Sequence, residues 1–413
     1  MHSGGLSFSE CIYKTEDYGK TWKLIVNGIA KTDFARCIRA DHKRAGLLYA
    51  GTEYGMYISY DDGANWKKFQ LNLPVVPITD LTIKNNDLVV ATQGRAFWVI
   101  DDLTPVQQMN SDLISKNLFV FPVDDSYRML GGGGFGEFRI NNPNAGKNPP
   151  NGTVINYWLK DAGDSTKTVI TIYDSKRDTV KTFSTDTKDN SRKLDVSKGM
   201  NQFVWDMLYG EGDRMEGMIL WNGVPGGIKA APGQYYAKVK AGKDSMEVPF
   251  TILGDPNYKM SQADYQAQFD FLNKAKNKFN DIQKGIKDIR SLRSQLNEFT
   301  SRAGKDLPKD IKQAVDTINK QMTAIEEALY QTKAKSGQDV LNYPIRLNDK
   351  ISGVFDAANS GMQAPSKQVQ EVLADLSAQA DAELAKLKKI KETDIPQLNQ
   401  MIKQSTLPVI GVK

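Results

Sequence analysis

Short runs of alternating apolar and polar residues fill the first quarter of the chain. Phe34–Arg39, Leu47–Thr52, Met56–Ser59 and Asn65–Gln70 are separated by Gly, Asp and Asn, and Leu81–Lys84, Leu88–Thr92 and Phe97–Asp101 follow. This period of two, broken by turn residues, predicts strands. Residues 11–15 and 21–26 predict two more. After a transition and linker over 111–152, six runs recur: Val154–Leu159, Val169–Asp174, Val180–Ser184, Asn201–Asp206, Gln234–Lys240 and Met246–Leu253. They predict a sandwich over 153–254. From Ser261 the period becomes helical. Phe269, Leu272, Phe279, Ile282, Ile286, Ile289, Leu296 and Phe299 form one stripe. Ile311, Val315, Ile318, Met322, Ile325 and Leu329 form a second at coiled-coil spacing. Leu347, Ile351 and Phe355 mark a short helix, and Val369 to Ile390 a last long one that Pro396 kinks or restarts. Single apolar stripes predict an antiparallel bundle over 260–405. The fold class expected is therefore a multidomain, mainly β chain with an α-helical C-terminal part.

Two stretches inside the first region share a motif. Thr15–Trp22 and Ser59–Trp66 both read [Ser/Thr]-x-Asp-x-Gly-x-x-Trp, with their tryptophans 44 residues apart. One four-stranded propeller blade needs roughly 40–45 residues. Asp17 and Asp61 can fold their carboxylates onto backbone N–H groups. Gly19 and Gly63 permit a turn that other residues resist. Trp22 and Trp66 are expected to bury their rings between neighbouring sheets. Leu88–Thr92 aligns with Leu48–Thr52 at a shift of 40, extending the repeat to a third sheet. Residues 1–110 thus hold about two and a half blades. Such a run cannot close a ring, so upstream blades or a partner chain are expected to complete the propeller.

Composition narrows the chemistry. Of 413 residues, 40% are hydrophobic and 25% charged, with a net charge of +5. Those values suit ordinary globular material. Lysines and arginines are not clustered with aromatics, so no nucleic-acid surface is expected. No apolar run approaches membrane-spanning length. Cys11 and Cys37 read as small apolar strand residues. With His2 and His42 the only histidines, neither a metal centre nor a cofactor is expected. Gly131–Gly134 lacks the Lys-[Ser/Thr] of a phosphate-binding loop and reads as a flexible loop. Asp61/Asp62 and Asp101/Asp102 are adjacent on strands, point to opposite sides, and form no catalytic pair.

Thr15–Trp22, together with Gly46–Glu53, Asn72–Ile78 and Asp87–Trp98, resembles the end of a sortilin-type propeller. More closely, the chain resembles the C-terminal part of the bacterial BNR-repeat (Asp-box) proteins labelled sialidase-like glycosyl hydrolases. The resemblance implies a propeller end, an immunoglobulin- or fibronectin-III-like sandwich and a helical tail, in an extracytoplasmic protein. In blade geometry the Asp-box turns lie opposite the usual ligand face. The ligand-face candidates are Glu53 and Tyr54, Gln93 and Arg95, with Lys31 and Asp33 in a blade link; Arg39 adds a further cation. Two readings of function follow: a binding or scaffold protein for a peptide or glycan, or a glycoside hydrolase whose site lies mostly in blades outside this chain. A structural subunit of a surface assembly is a third. Trp221, in a Gly-rich loop with Asn222, is either a loop anchor or a sugar-stacking ring.

Overall fold

A computed structural model describes residues 12–129, 146, 148–162 and 167–405. Cys11, Gly131–Gly134 and part of the expected transition and linker lie outside these residues. Among the described residues helix accounts for 36% and strand for 25%. The expected many-stranded antiparallel sheets and helical C-terminal part are present, and the mainly β expectation holds only in part, because the helices after Ser261 outweigh the strands.

The N-terminal region forms three antiparallel sheets in sequence order. The first pairs β1 (Tyr13–Lys14) with β2 (Lys23–Leu24). The second has four strands in order: β3 (Ala35–Ala40), β4 (Leu48–Thr52), β5 (Gly55–Ser59) and β6 (Lys67–Lys68). The third runs β7 (Ile78–Lys84), β8 (Asp87–Thr92), β9 (Phe97–Ile100). The second sheet is buried on both faces. Leu48, Ala50, Tyr57 and Trp66 pack with Ile12, Ile25 and Ile29 on one side. Leu47, Tyr49, Met56 and Ile58 pack with Ile78, Leu81, Leu88 and Val90 on the other. Alternation along a strand sends neighbours to opposite faces, so β4 serves two cores.

Both Asp-box turns form, with matching hydrogen bonds. Thr15 Oγ1 donates to Asp17 Oδ1 at 2.9 Å and Ser59 Oγ to Asp61 Oδ1 at 2.8 Å. The N–H of Gly19 donates to Thr15 Oγ1 and that of Gly63 to Ser59 Oγ. The N–H groups of Thr21 and Asn65 each donate to their aspartate at 2.8 Å. Gly63 has φ +84°, and a Cβ there would lie 2.5 Å from the Ile25 side chain. Its place is thus fixed by both conformation and packing. The tryptophans part company. Trp66 is buried and donates its indole N–H to Ile25 O at 2.8 Å. Trp22 is 60% exposed and donates back to Gly19 O of its own turn. The expected burial of Trp22 fails because, among the described residues, no sheet lies before β1–β2 to receive the ring.

Helices α1 (Thr104–Gln108) and α2 (Ser111–Ser115) lead into a sandwich. All six expected strands form: β12 (Thr153–Leu159), β13 (Thr168–Tyr173), β14 (Thr179–Ser184), β15 (Gly199–Trp205), β16 (Gly233–Ala241) and β17 (Asp244–Gly254). The stretch read as transition supplies two more. β10 (Leu118–Val120) pairs with β12, and β11 (Ser126–Arg128) pairs in parallel with β17. The sheets are β10-β12-β15 and β11-β17-β16-β13-β14. Trp205 and Tyr235 sit in the core between them. Trp158 is only half-buried, because Tyr157 and Leu159 take the inward positions of β12.

The tail comprises α3 (Gln262–Ala303), α4 (Lys309–Leu329), α5 (Leu347–Asn359), α6 (Lys367–Lys389), a π-helical turn at Ile390–Asp394, and α7 (Ile395–Gln404). Ser261 caps α3 through a reciprocal box with Asp264. The predicted stripes make one core with Phe279, Ile286, Met322, Phe355 and Leu376. The loop 206–231 of the sandwich folds onto that bundle and adds Ile228 to its core.

Candidate functional site

Strand register places the candidate residues. Thr52 pairs with Ala35 and Thr92 with Ile78, so the turns holding Glu53–Tyr54 and Gln93–Arg95 lie at one end of the sheets. The N–H of Glu53 donates to Phe34 O and that of Gln93 to Pro77 O. Glu53 is engaged by Arg36, at 2.6 Å from its Nε and 2.5 Å from its Nη2. Tyr54 is exposed. Arg95 folds onto Gly94 O at 3.1 Å, and the Trp98 indole donates to Arg95 O. Asp33 is buried and accepts the Tyr57 hydroxyl at 2.8 Å. This end therefore gathers Glu53, Tyr54, Gln93 and Arg95, as expected, with the one carboxylate of the four already ion-paired.

Arg39 lies apart from that set, toward the Asp-box end. It stands on β3 and donates to Asp80 Oδ1 of β7 at 2.5 Å. The pair ties the two leading strands of neighbouring sheets, which run side by side. Both partners are substantially exposed, so the pair itself adds little to stability. Below it opens a recess of about 370 Å³, lined by Arg39, Ala40, His42, Thr82, Ile83 and Asn85. Its size falls in the range of small-ligand clefts. Its rim offers a guanidinium, an imidazole, a hydroxyl and an amide. The sequence named Arg39 but not the recess, because the recess exists only where β3 and β7 meet.

Behind the recess runs a chain of polar side chains. Asp41 accepts the N–H groups of Lys43 and Arg44 at 2.8 and 2.9 Å. It also accepts the Tyr49 hydroxyl and the Gln107 amide. Gln107 donates on to Asn86, which donates to Asp102 and Thr104. Asn156 of the sandwich donates to the other oxygen of Asp102 at 3.0 Å. Burial alone would raise the Asp41 carboxyl; the donors from Arg44, Lys43, Gln107 and Tyr49 outweigh it and hold it below the usual carboxylate range. Burial, with Asp41 beside it, pushes the Tyr49 phenol far up. Burial also pushes up the Cys37 thiol, whose Sγ faces Ile78 O. That thiol is thus a packing group rather than a nucleophile. Asp101 and Asp102 do not act together: Asp102 has φ +55° and serves the network, while burial and then Asp87 raise the Asp101 carboxyl. Among the described residues, no cluster of His, Cys, Asp or Glu could hold a metal ion.

No family model matches the chain, and no curated protein does. Two solved structures align with parts of it. The extracellular domain of a hybrid two component system from B. thetaiotaomicron aligns at 9% identity and a TM-score of 0.19, covering 58% of this chain and 28% of that one. A structure titled pT26-6p aligns at 13% identity and a TM-score of 0.13, covering 62% of this chain and 47% of that one. Neither overlay reaches a shared fold. Among the described residues, no helix is long and apolar enough to cross a membrane.

Proposed function

We propose that the three N-terminal sheets are blades of a sortilin-like, Asp-box propeller, and that the chain is an extracytoplasmic binding or scaffold protein. In this reading the ring is completed by a partner chain or by further blades, and its axial surface takes a peptide or glycan. The observation that carries the binding role is the recess between β3 and β7. Arg39 lines it and is held only by a weak, exposed pair with Asp80, so it can exchange Asp80 for an acceptor on a ligand at small cost. Glu53, the carboxylate a hydrolase would draw on at the other end, is held by Arg36. That arrangement favours binding over glycoside cleavage.

The test is equilibrium binding to peptide and oligosaccharide arrays. Arg39→Ala is expected to weaken capture about tenfold, or about 1.4 kcal/mol, with Glu53→Ala unchanged. Equal capture by the Arg39→Ala variant would remove the recess from the argument. Light scattering on the same samples reads the ring: a complex with a second polypeptide supports completion in trans, and a single-chain mass counts against it.

A further inference from the structure

The third sheet ends on an open edge. The second sheet has four strands, with β6 as its last, whereas the third stops at β9. Register shows which groups are left over. The N–H of Thr92 donates to Ala96 O at 3.2 Å. In the antiparallel ladder that follows, Trp98 and Ile100 therefore turn their N–H and C=O groups to β8, and Phe97 and Val99 turn theirs away. Met56 and Ile58 hold the equivalent places in β5. Met56 lies opposite Gly51 and Ile58 opposite Tyr49, as Phe97 lies opposite Ala91 and Val99 opposite Val89. In the second sheet these outward groups are used: Ile58 pairs with Lys67 of β6, and the N–H of Phe69 donates to Met56 O at 2.8 Å. The outward groups of Phe97 and Val99 have no partner among the described residues.

The strand carries none of the usual guards. Phe97–Ile100 contains no lysine and no proline, the residues with which natural sheets blunt a free edge. Phe97 is 76% and Val99 51% exposed, whereas Met56 and Ile58 are buried. Val89 and Ala91 of β8 lie beside them on the same face. We propose that β9 pairs edge to edge and antiparallel with β9 of a second copy of this chain, about a two-fold axis at Trp98. In that register Phe97 of one copy exchanges backbone hydrogen bonds with Val99 of the other. Every outward group then finds a partner, and Phe97 packs on Val99 across the pair. The flanking charges select a second copy over an unrelated strand. Arg95 and Asp101 are both exposed and stand equally far along the chain from Trp98. The same register therefore brings each Arg95 toward the other copy's Asp101. A self-complementary contact of this kind closes as a dimer. It rests on the register of β8 and β9 and holds whether or not the sheets belong to a ring.

Sedimentation velocity of the full chain over a range of concentrations tests it. The mass should rise with concentration from that of one chain toward that of two. Val99→Pro removes an outward N–H that β8 does not use, and Val99→Lys puts a charge on the edge. Each should hold the chain at the single-chain mass, with far-ultraviolet circular dichroism unchanged; should the proline disturb the strand, the lysine variant decides. Arg95→Asp should weaken dimerisation about tenfold, because the change acts at both ends of the pair. Adding Asp101→Arg to that variant should restore it, which a merely structural loss would not allow. A single-chain mass at every concentration would overturn the inference. So would a dimer undiminished in both Val99 variants, which would place the contact elsewhere, or a charge swap that fails to restore what Arg95→Asp lost.

Discussion

Trp66 and Trp22 occupy the same motif position and do different work. Trp66 fills the space between two sheets and ties its N–H to Ile25 O. Trp66→Ala should cost about 3–5 kcal/mol, as large core truncations do. Trp22→Ala should stay within about 0.5 kcal/mol, because 60% of that residue already faces solvent. Urea unfolding followed by far-ultraviolet circular dichroism would compare the two, and equal losses would mean that Trp22 is covered in solution. Asp61 is the second case at this scale. It satisfies the N–H and side-chain amide of Asn65 and the Ser59 hydroxyl. Asp61→Ala should cost about 1–2 kcal/mol in the same assay, the range for losing a turn acceptor whose donors retain some access to water.

At the scale of elements, the turn between β3 and β4 is held to α1 by the Asp41 carboxylate, which accepts the Gln107 amide, and by Arg44, which donates to Gln107 O and Met109 O. Asp41 has a folded pKa below its unfolded one despite its burial. Its contribution is therefore fully present above the unfolded value, about 3.9, and is lost as pH falls through the lower folded value. Acid unfolding of this region should begin below about pH 4. Asp41→Asn should flatten that part of the curve and lower stability at neutral pH. Tryptophan fluorescence against pH would show it, and an acid transition unchanged by Asp41→Asn would assign it to other carboxylates. The helices show a related division of labour. The 42-residue α3 is one continuous helix because its stripe never breaks, and Gly285 inside it meets the Leu384 side chain of α6. Its lack of a Cβ permits that close approach.

Over the whole molecule, the sandwich and the bundle are joined through the loop that Asp349 pins. Removing that carboxylate takes the acceptor from the Trp221 and Asn222 N–H groups and leaves the Asn222 amide only the Asp349 carbonyl. Asp349→Ala should cost at least about 2 kcal/mol and raise hydrogen exchange across residues 218–224 without altering β3–β9. Exchange that stays slow there would mean Ser352, which donates to Gly223 O, and Tyr330, which accepts the Ile219 N–H, hold the loop unaided. A second joint passes through Arg128, which is buried over the Tyr265 ring and donates to Gln268, while Gln268 donates to the carbonyls of Ala358 and Gly361. The sheets meet the sandwich through Asp102 and Asn156. Polar relays thus join successive regions beside the apolar core that Ile228, Leu220 and Val224 share with the bundle.

The sequence by itself determined whatever depends on neighbours along the chain. Alternation located the strands of the first three sheets and all six strands between 153 and 254. The Asp-box residues specified two turns down to their hydrogen bonds, since every partner lies within four positions. The helical stripes predicted which faces would be buried. Tertiary structure alone decided what depends on distant partners. The apolar run from Leu118 reads as strand-like, whereas the three residues at 126–128 carry too little pattern to announce themselves and form a strand because β17 offers an edge. Trp22 and Trp66 look alike in sequence, and only the presence of a sheet beside one of them buries it. The recess at Arg39 needs β3 and β7 to lie side by side, and the exposure of Trp221 needs Asp349, more than a hundred residues away, to hold its backbone. Local hydrogen bonding and periodicity are written in the order of residues, whereas burial and site geometry follow from which surfaces meet.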